Sequence, residues 1–140
     1  MAAGPLRRAR ARAKGRRDSA RLAAVIAGGF GPVFALPLLL HPYRWARAFG
    51  WRAEPETDVG LYFGRCLGAL ATASCVQAAR ASRDPARHAS YYEFAEVAGW
   101  LLAAVHLRGL LERRQPPIEH AEIAGYSAFA LAARRYSPDR

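Results

Sequence analysis

Hydrophobic and polar positions along this chain divide it into long apolar stretches separated by short charged segments. The apolar stretches cover residues 22–40, 58–79, 91–111 and 118–133. The first is a run of nineteen residues without a charged side chain, which corresponds to about 28 Å of α-helix and is close to the hydrocarbon thickness of a bilayer. No alternation of period two indicates a β-strand. The pattern therefore predicts an all-α fold, an integral membrane four-helix bundle.

The segment after the first stretch, residues 41–51, mixes aromatic side chains with Arg44 and Arg47. This composition is typical of a membrane–water interface. Pro32 and Pro37 lie inside the first stretch, where a soluble helix would be broken, but membrane helices accommodate proline because neighbouring groups satisfy the freed carbonyls. These features favour a membrane-embedded chain over a soluble one.

Small residues recur at helical spacing in three of the four stretches. Gly60, Gly64 and Gly68 are four residues apart, so they form one stripe along which another backbone can approach closely. Gly99 and Gly125 belong to similar faces of the third and fourth helices. We expect all five glycines to mediate helix packing, within the chain or with a partner.

The N-terminal residues 1–20 are strongly basic and precede the transmembrane domain, residues 21–136. Most of the net charge of +10 resides in this segment. Because it has little apolar surface to bury, we predict a disordered arm. The arm is expected to bind anionic membrane lipids and to determine topology. Two alternatives are electrostatic binding of nucleic acid and a targeting signal, since Arg16-Arg17 precedes an apolar stretch.

Charge distribution also predicts the orientation of the bundle. With four spans, fourteen Arg and Lys lie on the side of the two termini and six on the other side. The positive-inside rule then places both termini in the cytoplasm of a multi-pass protein of the inner membrane. The Ala- and Arg-rich composition suggests a bacterial origin.

Ionisable residues inside the predicted spans are candidates for a buried polar cluster. Arg65, His106 and Glu122 are predicted at one depth in the outer half of the bilayer. We expect an ion pair between Arg65 and Glu122, with His106 and Tyr126 beside it, and Glu96 nearer the cytoplasmic side. Such a cluster is either a polar clasp that orients the helices or a site for a ligand or proton.

Motifs of catalysis and metal binding are absent from the sequence. The two cysteines form no C-x-x-C pair, and Glu119-His120-Ala121-Glu122 is not an H-E-x-x-H motif. We therefore predict no catalytic residue and no metal site. A non-catalytic protein is favoured over an enzyme. We predict no cofactor. The alternative is a haem held between His106 and His120, which flank a tight hairpin.

In the second stretch, the residues Gly64-Arg65-Cys66-Leu67-Gly68-Ala69-Leu70-Ala71 resemble the Arg-then-Gly pattern of small four-helix DoxX-like membrane proteins. The resemblance covers about fifteen residues and implies a four-helix membrane architecture. Some members of that family are linked to quinone or thiol redox metabolism, whereas most have no known function.

Three functional hypotheses follow from the sequence. The first is a membrane scaffold or accessory subunit that packs against a membrane protein partner, or against itself, through its small-residue faces. The second is a membrane redox or transport component that uses the buried Arg, Glu and His residues. The third is a soluble helical bundle that binds nucleic acid through its arm, which agrees poorly with the uncharged first stretch.

Overall fold

The computed structural model describes residues 5–53 and 55–138, with side chains from residue 13 onward. All regular secondary structure in this part of the chain is helical. The elements are α1 (Pro5–Val25), a π-helical segment (Ile26–Ala35), α2 (Leu36–Leu40), α3 (Pro42–Ala48), α4 (Asp58–Arg83), α5 (Ala89–Leu111), a 3₁₀ turn (Pro117–Glu119) and α6 (His120–Arg135). The prediction of an all-α fold is confirmed for the described residues.

Helix α1, the π-helical segment and α2 follow one another without a break and form a single long rod. Pro32 lies in the π-helical part, where the N–H of Leu36 donates to the carbonyl of Gly31, five residues earlier. A proline ring clashes with the carbonyl four residues before it in a regular α-helix. The wider π-helical turn relieves that clash, which explains how the first stretch remains helical.

The basic arm differs from its prediction, because residues 5–20 belong to α1. Arg and Ala, which dominate this segment, are good helix formers. The C-terminal part of the arm is also anchored, since the Ser19 hydroxyl donates to the carbonyl of Tyr136 and the Tyr92 hydroxyl donates to the carbonyl of Ser19. The prediction of disorder is wrong for residues 5–20, and residues 1–4 lie outside the described part of the chain.

Two antiparallel helical pairs make up the fold. In the first, the long rod packs along α4, so that Leu39 meets Gly68, Gly31 meets Cys75 and Ala23 lies in the same cluster as Ala78. In the second, α5 packs along α6. The two pairs join in a core of small and aromatic side chains drawn from α1, α4, α5 and α6: Ala23, Ala78, Ala81, Tyr91, Tyr92, Ala95 and Ala133.

The glycine stripe of α4 packs against residues 38–43 of the same chain. A Cβ added to any of its three glycines would collide with that segment: Gly60 with Tyr43, Gly64 with Pro42 and Gly68 with the backbone of Leu39. Such close approach is what glycine permits at a helix contact. The stripe therefore forms the contact between α4 and the end of the first helical rod. Residues 38–43 of the same chain cover it.

The glycines of the second pair differ from each other. A Cβ on Gly99 would lie only 2.9 Å from the Cβ of Ala130, so Gly99 allows α5 and α6 to pack closely. A Cβ on Gly125 would meet nothing within 4 Å. The packing role predicted for Gly125 is therefore not found within the chain, because this residue lies on the outward side of α6.

Three helices are long and apolar enough to cross a membrane: Ala13–Leu40, Asp58–Arg83 and Ala89–Leu111. Their large apolar side chains lie mostly on the outside, as shown by Val25, Leu70 and Leu101, each more than 60% exposed. The interior is instead filled mainly by alanine and tyrosine. This arrangement is suited to lipid, which solvates the outer apolar surface while small residues pack between helices. Helix α6, with sixteen residues, is not among these three candidate spans.

Candidate functional site

A cluster of buried and partly buried polar side chains lies where α5 ends and α6 begins. His106 is near the C-terminal end of α5, Glu119 is in the 3₁₀ turn and Glu122 is in the first turn of α6. His106 Nδ1 lies 3.3 Å from Glu119 Oε2, and His106 Nε2 lies 3.3 Å from Glu122 Oε2. The imidazole is thus flanked by a carboxylate at each nitrogen, and we call these three residues the His/Glu cluster.

Glu119 is the most deeply buried member of the His/Glu cluster. Only 2% of the residue is exposed, although it is a carboxylate in a short connecting turn. The indole Nε1 of Trp51 donates to Glu119 Oε1 at 2.7 Å, at the short end of the range for such hydrogen bonds. Trp51 belongs to the segment between α3 and α4, so the bond connects both helical pairs at this end of the bundle.

Two further side chains enclose the imidazole. The ring of Tyr126, one turn beyond Glu122, stacks on His106 with a centroid distance of 5.2 Å and an interplanar angle of 25°. The side-chain nitrogen Nε2 of Gln115 lies 3.5 Å from His106 Nδ1, and Gln115 is held against Gly109, where a Cβ would collide with it. These contacts fix the plane of the ring, so its two nitrogens keep facing the carboxylates.

Not every polar atom around the cluster has a hydrogen-bond partner. Glu122 Oε2 and Gln115 Oε1 are both buried without one. For Glu122 Oε2, the 3.3 Å to His106 Nε2 is within ion-pair range, but the approach does not have the direction of a hydrogen bond. Buried acceptors without partners are uncommon in proteins and require an explanation.

The balance of charge in the cluster is negative. Two carboxylates face one imidazole, and the ion pairs found among the described residues join no Arg or Lys to either of them. Even a protonated His106 would leave one negative charge uncompensated. Burying such a charge is costly unless a cation or a proton balances it.

Arg65 is not part of the cluster, which corrects the expected ion pair with Glu122. The Arg65 side chain is exposed, and no ion pair with Glu122 exists in the described part of the chain. The reason is the packing of α4, which lies mainly along the first helical rod and turns Gly64 and Gly68 toward it. Arg65 follows Gly64 by about 100° around the helix and therefore lies outside that contact.

Glu96 is also separate from the cluster. Its carboxylate lies 3.6 Å from Arg134 Nη1, at the other end of the α5–α6 pair. Ten residues along α5 separate it from His106, a distance of about 15 Å at 1.5 Å per residue. The structure brings together His106, Glu122 and Tyr126 and places Arg65 elsewhere, whereas Glu96 lies at the other end of the α5–α6 pair, apart from the other residues as expected.

The haem considered for His106 and His120 stays a prediction. In the structure each nitrogen of His106 faces a carboxylate at 3.3 Å. The Tyr126 ring covers one face of the imidazole.

Three residues of the site, Glu119, Trp51 and Gln115, were not identified from the sequence. For Glu119 a signal exists, because Glu119 and Glu122 are three residues apart and share one face of a helical turn. For Trp51 there is none, since it meets Glu119 across 68 positions of the chain. Its place among interfacial aromatics predicted only a position near the end of the bundle.

No protein-family model, curated protein sequence or solved structure matches this chain. The resemblance of residues 64–71 to DoxX-like proteins therefore stays a prediction.

Proposed function

We propose that this chain is a small multi-pass membrane protein that acts non-catalytically, as a scaffold or accessory subunit. The observation that carries the proposal is the outward placement of large apolar side chains on three helices of membrane-spanning length. Soluble monomeric proteins rarely expose large contiguous apolar patches to water. In a bilayer an apolar outer surface is expected.

The fourth span of the proposal is α6. Its sixteen residues reach about 24 Å at 1.5 Å per residue, and α6 packs along the whole adjacent face of α5. With α6 as a span, both termini lie on one side, and the excess of Arg and Lys there favours the cytoplasm and the inner membrane. The basic N-terminal part of α1 would then lie against anionic lipid headgroups.

Reporter fusions distinguish four spans from three. Alkaline phosphatase is active only outside the cytoplasm. Green fluorescent protein fluoresces only in the cytoplasm, because it does not fold after export through the general secretion route. Four spans predict fluorescence and no phosphatase activity for fusions after Ser90 and after Arg140, and phosphatase activity for fusions after Ala53 and Arg114. Phosphatase activity at Arg140 with the other three unchanged would show that α6 does not cross.

Of the small-residue faces predicted from the sequence, the face of α6 is available to a partner helix. The stripe of α4 is filled by residues 38–43, and Gly99 is covered by α6, so neither is available. Ala121, Gly125 and Ala128 lie exposed along the outer face of α6. Small residues at this spacing let a second transmembrane helix approach closely, from another protein or from another copy of the chain.

Substitution on that face tests the accessory role. We expect the wild-type chain to form an assembly in mild detergent, and Gly125→Ile should dissociate it and leave the 15.3 kDa chain alone in its micelle. Gly28→Ile is the matched control, because a Cβ at Gly28 also meets nothing within 4 Å and it lies in another span. A wild-type chain that is monomeric in native mass spectrometry from several mild detergents would contradict the accessory role.

A second candidate, a redox or transport component, is favoured by the His/Glu cluster itself. Buried ionisable groups in membrane proteins commonly mark paths for ions or protons. In this case His106, Glu119 and Glu122 would carry the activity, without Arg65 and Glu96. If Glu122→Gln assembles as wild type but fails to restore the function lost on deletion of the protein, this candidate is favoured over the accessory role.

Nucleic-acid binding is the less favoured class. The basic part of α1 supplies the charge, but the exposed apolar side chains of the three long helices have no role in such a protein. Alkaline carbonate extraction, which shows whether the chain is inserted in a membrane, distinguishes a membrane protein from a soluble nucleic-acid-binding protein.

A further inference from the structure

We propose that the His/Glu cluster binds a divalent transition-metal ion through His106, Glu119 and Glu122. One nitrogen of His106 and one oxygen of each carboxylate lie within 4.8 Å of one another. Ligand atoms around a bound zinc ion are about 2.0–2.2 Å from the metal, so they lie roughly 3–4 Å from each other. Because the two carboxylates face different nitrogens of His106, one carboxylate must move toward the nitrogen that binds the metal to complete the site.

The types of donor indicate the class of metal. One imidazole nitrogen with two carboxylate oxygens suits zinc, manganese or ferrous iron. Calcium and magnesium prefer sites made of oxygen alone. Three protein ligands also leave a coordination position for water or for a further donor.

Two independent observations point to a ligand in this place. The first is the pair of buried acceptors without hydrogen bonds, Glu122 Oε2 and Gln115 Oε1, which are both at the cluster. The second is the uncompensated negative charge of two carboxylates beside one imidazole, of which Glu119 is buried and Glu122 is partly buried. A divalent cation would satisfy the carboxylate acceptor and neutralise the charge together.

The surrounding contacts resemble the support that metal ligands usually have. Trp51 donates to Glu119 Oε1 and leaves Oε2 facing the imidazole. Tyr126 stacks on His106 and holds the plane of the ring. Outer contacts of this kind orient the ligands and strengthen binding.

The alternative is a metal-free polar clasp, in which a proton balances the charge. In a clasp the three side chains interact only with one another and bind no metal. In a metal site the chain binds one ion, and its affinity for that ion depends on all three side chains. The two are therefore distinguished by binding measurements, whether or not the protein is an accessory subunit.

The test is titration of the purified full-length chain in detergent with Zn²⁺, by calorimetry and by elemental analysis after removal of free metal. We expect one Zn²⁺ per chain and a loss of affinity of at least about 10-fold in His106→Ala and in Glu122→Gln. His120→Ala is the matched control, because this histidine adjoins Glu119 in sequence yet lies outside the cluster, and it should bind as wild type.

Circular dichroism and gel filtration establish that each variant is folded before it is titrated. Since Glu122→Gln keeps the volume of the side chain, it remains informative if His106→Ala does not fold. Absence of stoichiometric Zn²⁺ binding to the folded wild-type chain would overturn the proposal. Equal affinity in wild type and Glu122→Gln would overturn it as well.

Discussion

The indole of Trp51 donates a 2.7 Å hydrogen bond to the buried carboxylate of Glu119. The bond joins the segment between α3 and α4 to the turn that begins α6, so it connects the two helical pairs at this end of the bundle. It also fixes one oxygen of Glu119, so that the other faces His106. The packing of this end of the bundle and the shape of the His/Glu cluster therefore depend on the same residue.

Replacing Trp51 by Phe should destabilise the fold. The change keeps an aromatic ring but removes the donor to a buried carboxylate, which costs about 1–3 kcal/mol. Unfolding monitored in detergent is the measurement. Trp100→Phe is the control, because Trp100 is 44% exposed, and equal loss of stability in both variants would contradict the role of the Trp51 bond.

Gly68→Ala should destabilise the contact between the first helical rod and α4. The new Cβ would collide with the backbone of Leu39, and overpacking of this kind costs about 1–3 kcal/mol. Gly15→Ala is the matched control, since Gly15 also lies inside an α-helix, its Cβ would meet open space and alanine is the better helix former by about 1 kcal/mol. Thermal unfolding should therefore shift in opposite directions, and a shift in the same direction would contradict the packing described.

Tyr92→Phe should loosen the N-terminal helix from the rest of the fold. The Tyr92 hydroxyl donates to the carbonyl of Ser19 at 2.8 Å in a buried position, and its loss costs about 1 kcal/mol. Hydrogen exchange of residues 15–22 should become faster. Tyr62→Phe is the control, because Tyr62 is 65% exposed, and unchanged exchange in Tyr92→Phe would show that the arm is not held by this bond.

Arg65→Leu should leave the His/Glu cluster intact. Arg65 is exposed and forms no ion pair with Glu122 in the described part of the chain, so Zn²⁺ affinity and the unfolding temperature of the metal-bound chain should stay at wild-type values. Glu112→Gln serves as a second exposed substitution. If Zn²⁺ affinity falls in Arg65→Leu and not in Glu112→Gln, Arg65 interacts with Glu122, as the sequence predicted.

The sequence predicted helices well, because long uncharged stretches bounded by proline and charge leave few alternatives to a helix. It also predicted the close contact at the stripe of Gly60, Gly64 and Gly68, whose four-residue spacing places them on one face. It could not show that residues 38–43 fill that stripe. The partner of a small-residue face is determined by tertiary packing.

The polar cluster was predicted only in part for a related reason. Depth along each helix placed His106 and Glu122 at one level, and the structure brings them within 3.3 Å. Depth alone placed Arg65 there too, but the rotation of α4 about its own axis turns this side chain outward. That rotation depends on the glycine contacts with α2 and α3 and cannot be obtained from charge or hydrophobicity.

The arm was misjudged because its composition was considered in isolation. Arg-rich segments do not bury apolar surface, but residues 13–25 of α1 continue directly into an apolar helix and carry Ser19 and Ala23, which are buried against the rest of the bundle. A helix that is already formed extends at low cost, since nucleation is the unfavourable step.

Membrane insertion is the claim on which the proposed function depends, and alkaline carbonate extraction measures it most directly. The experiment uses cell membranes containing the full-length chain with a C-terminal tag. We predict that the intact chain stays in the membrane pellet, as expected for three or more helices whose apolar side chains face lipid. Release of the chain into the supernatant would contradict the membrane account and would make a soluble, nucleic-acid-binding protein the better explanation.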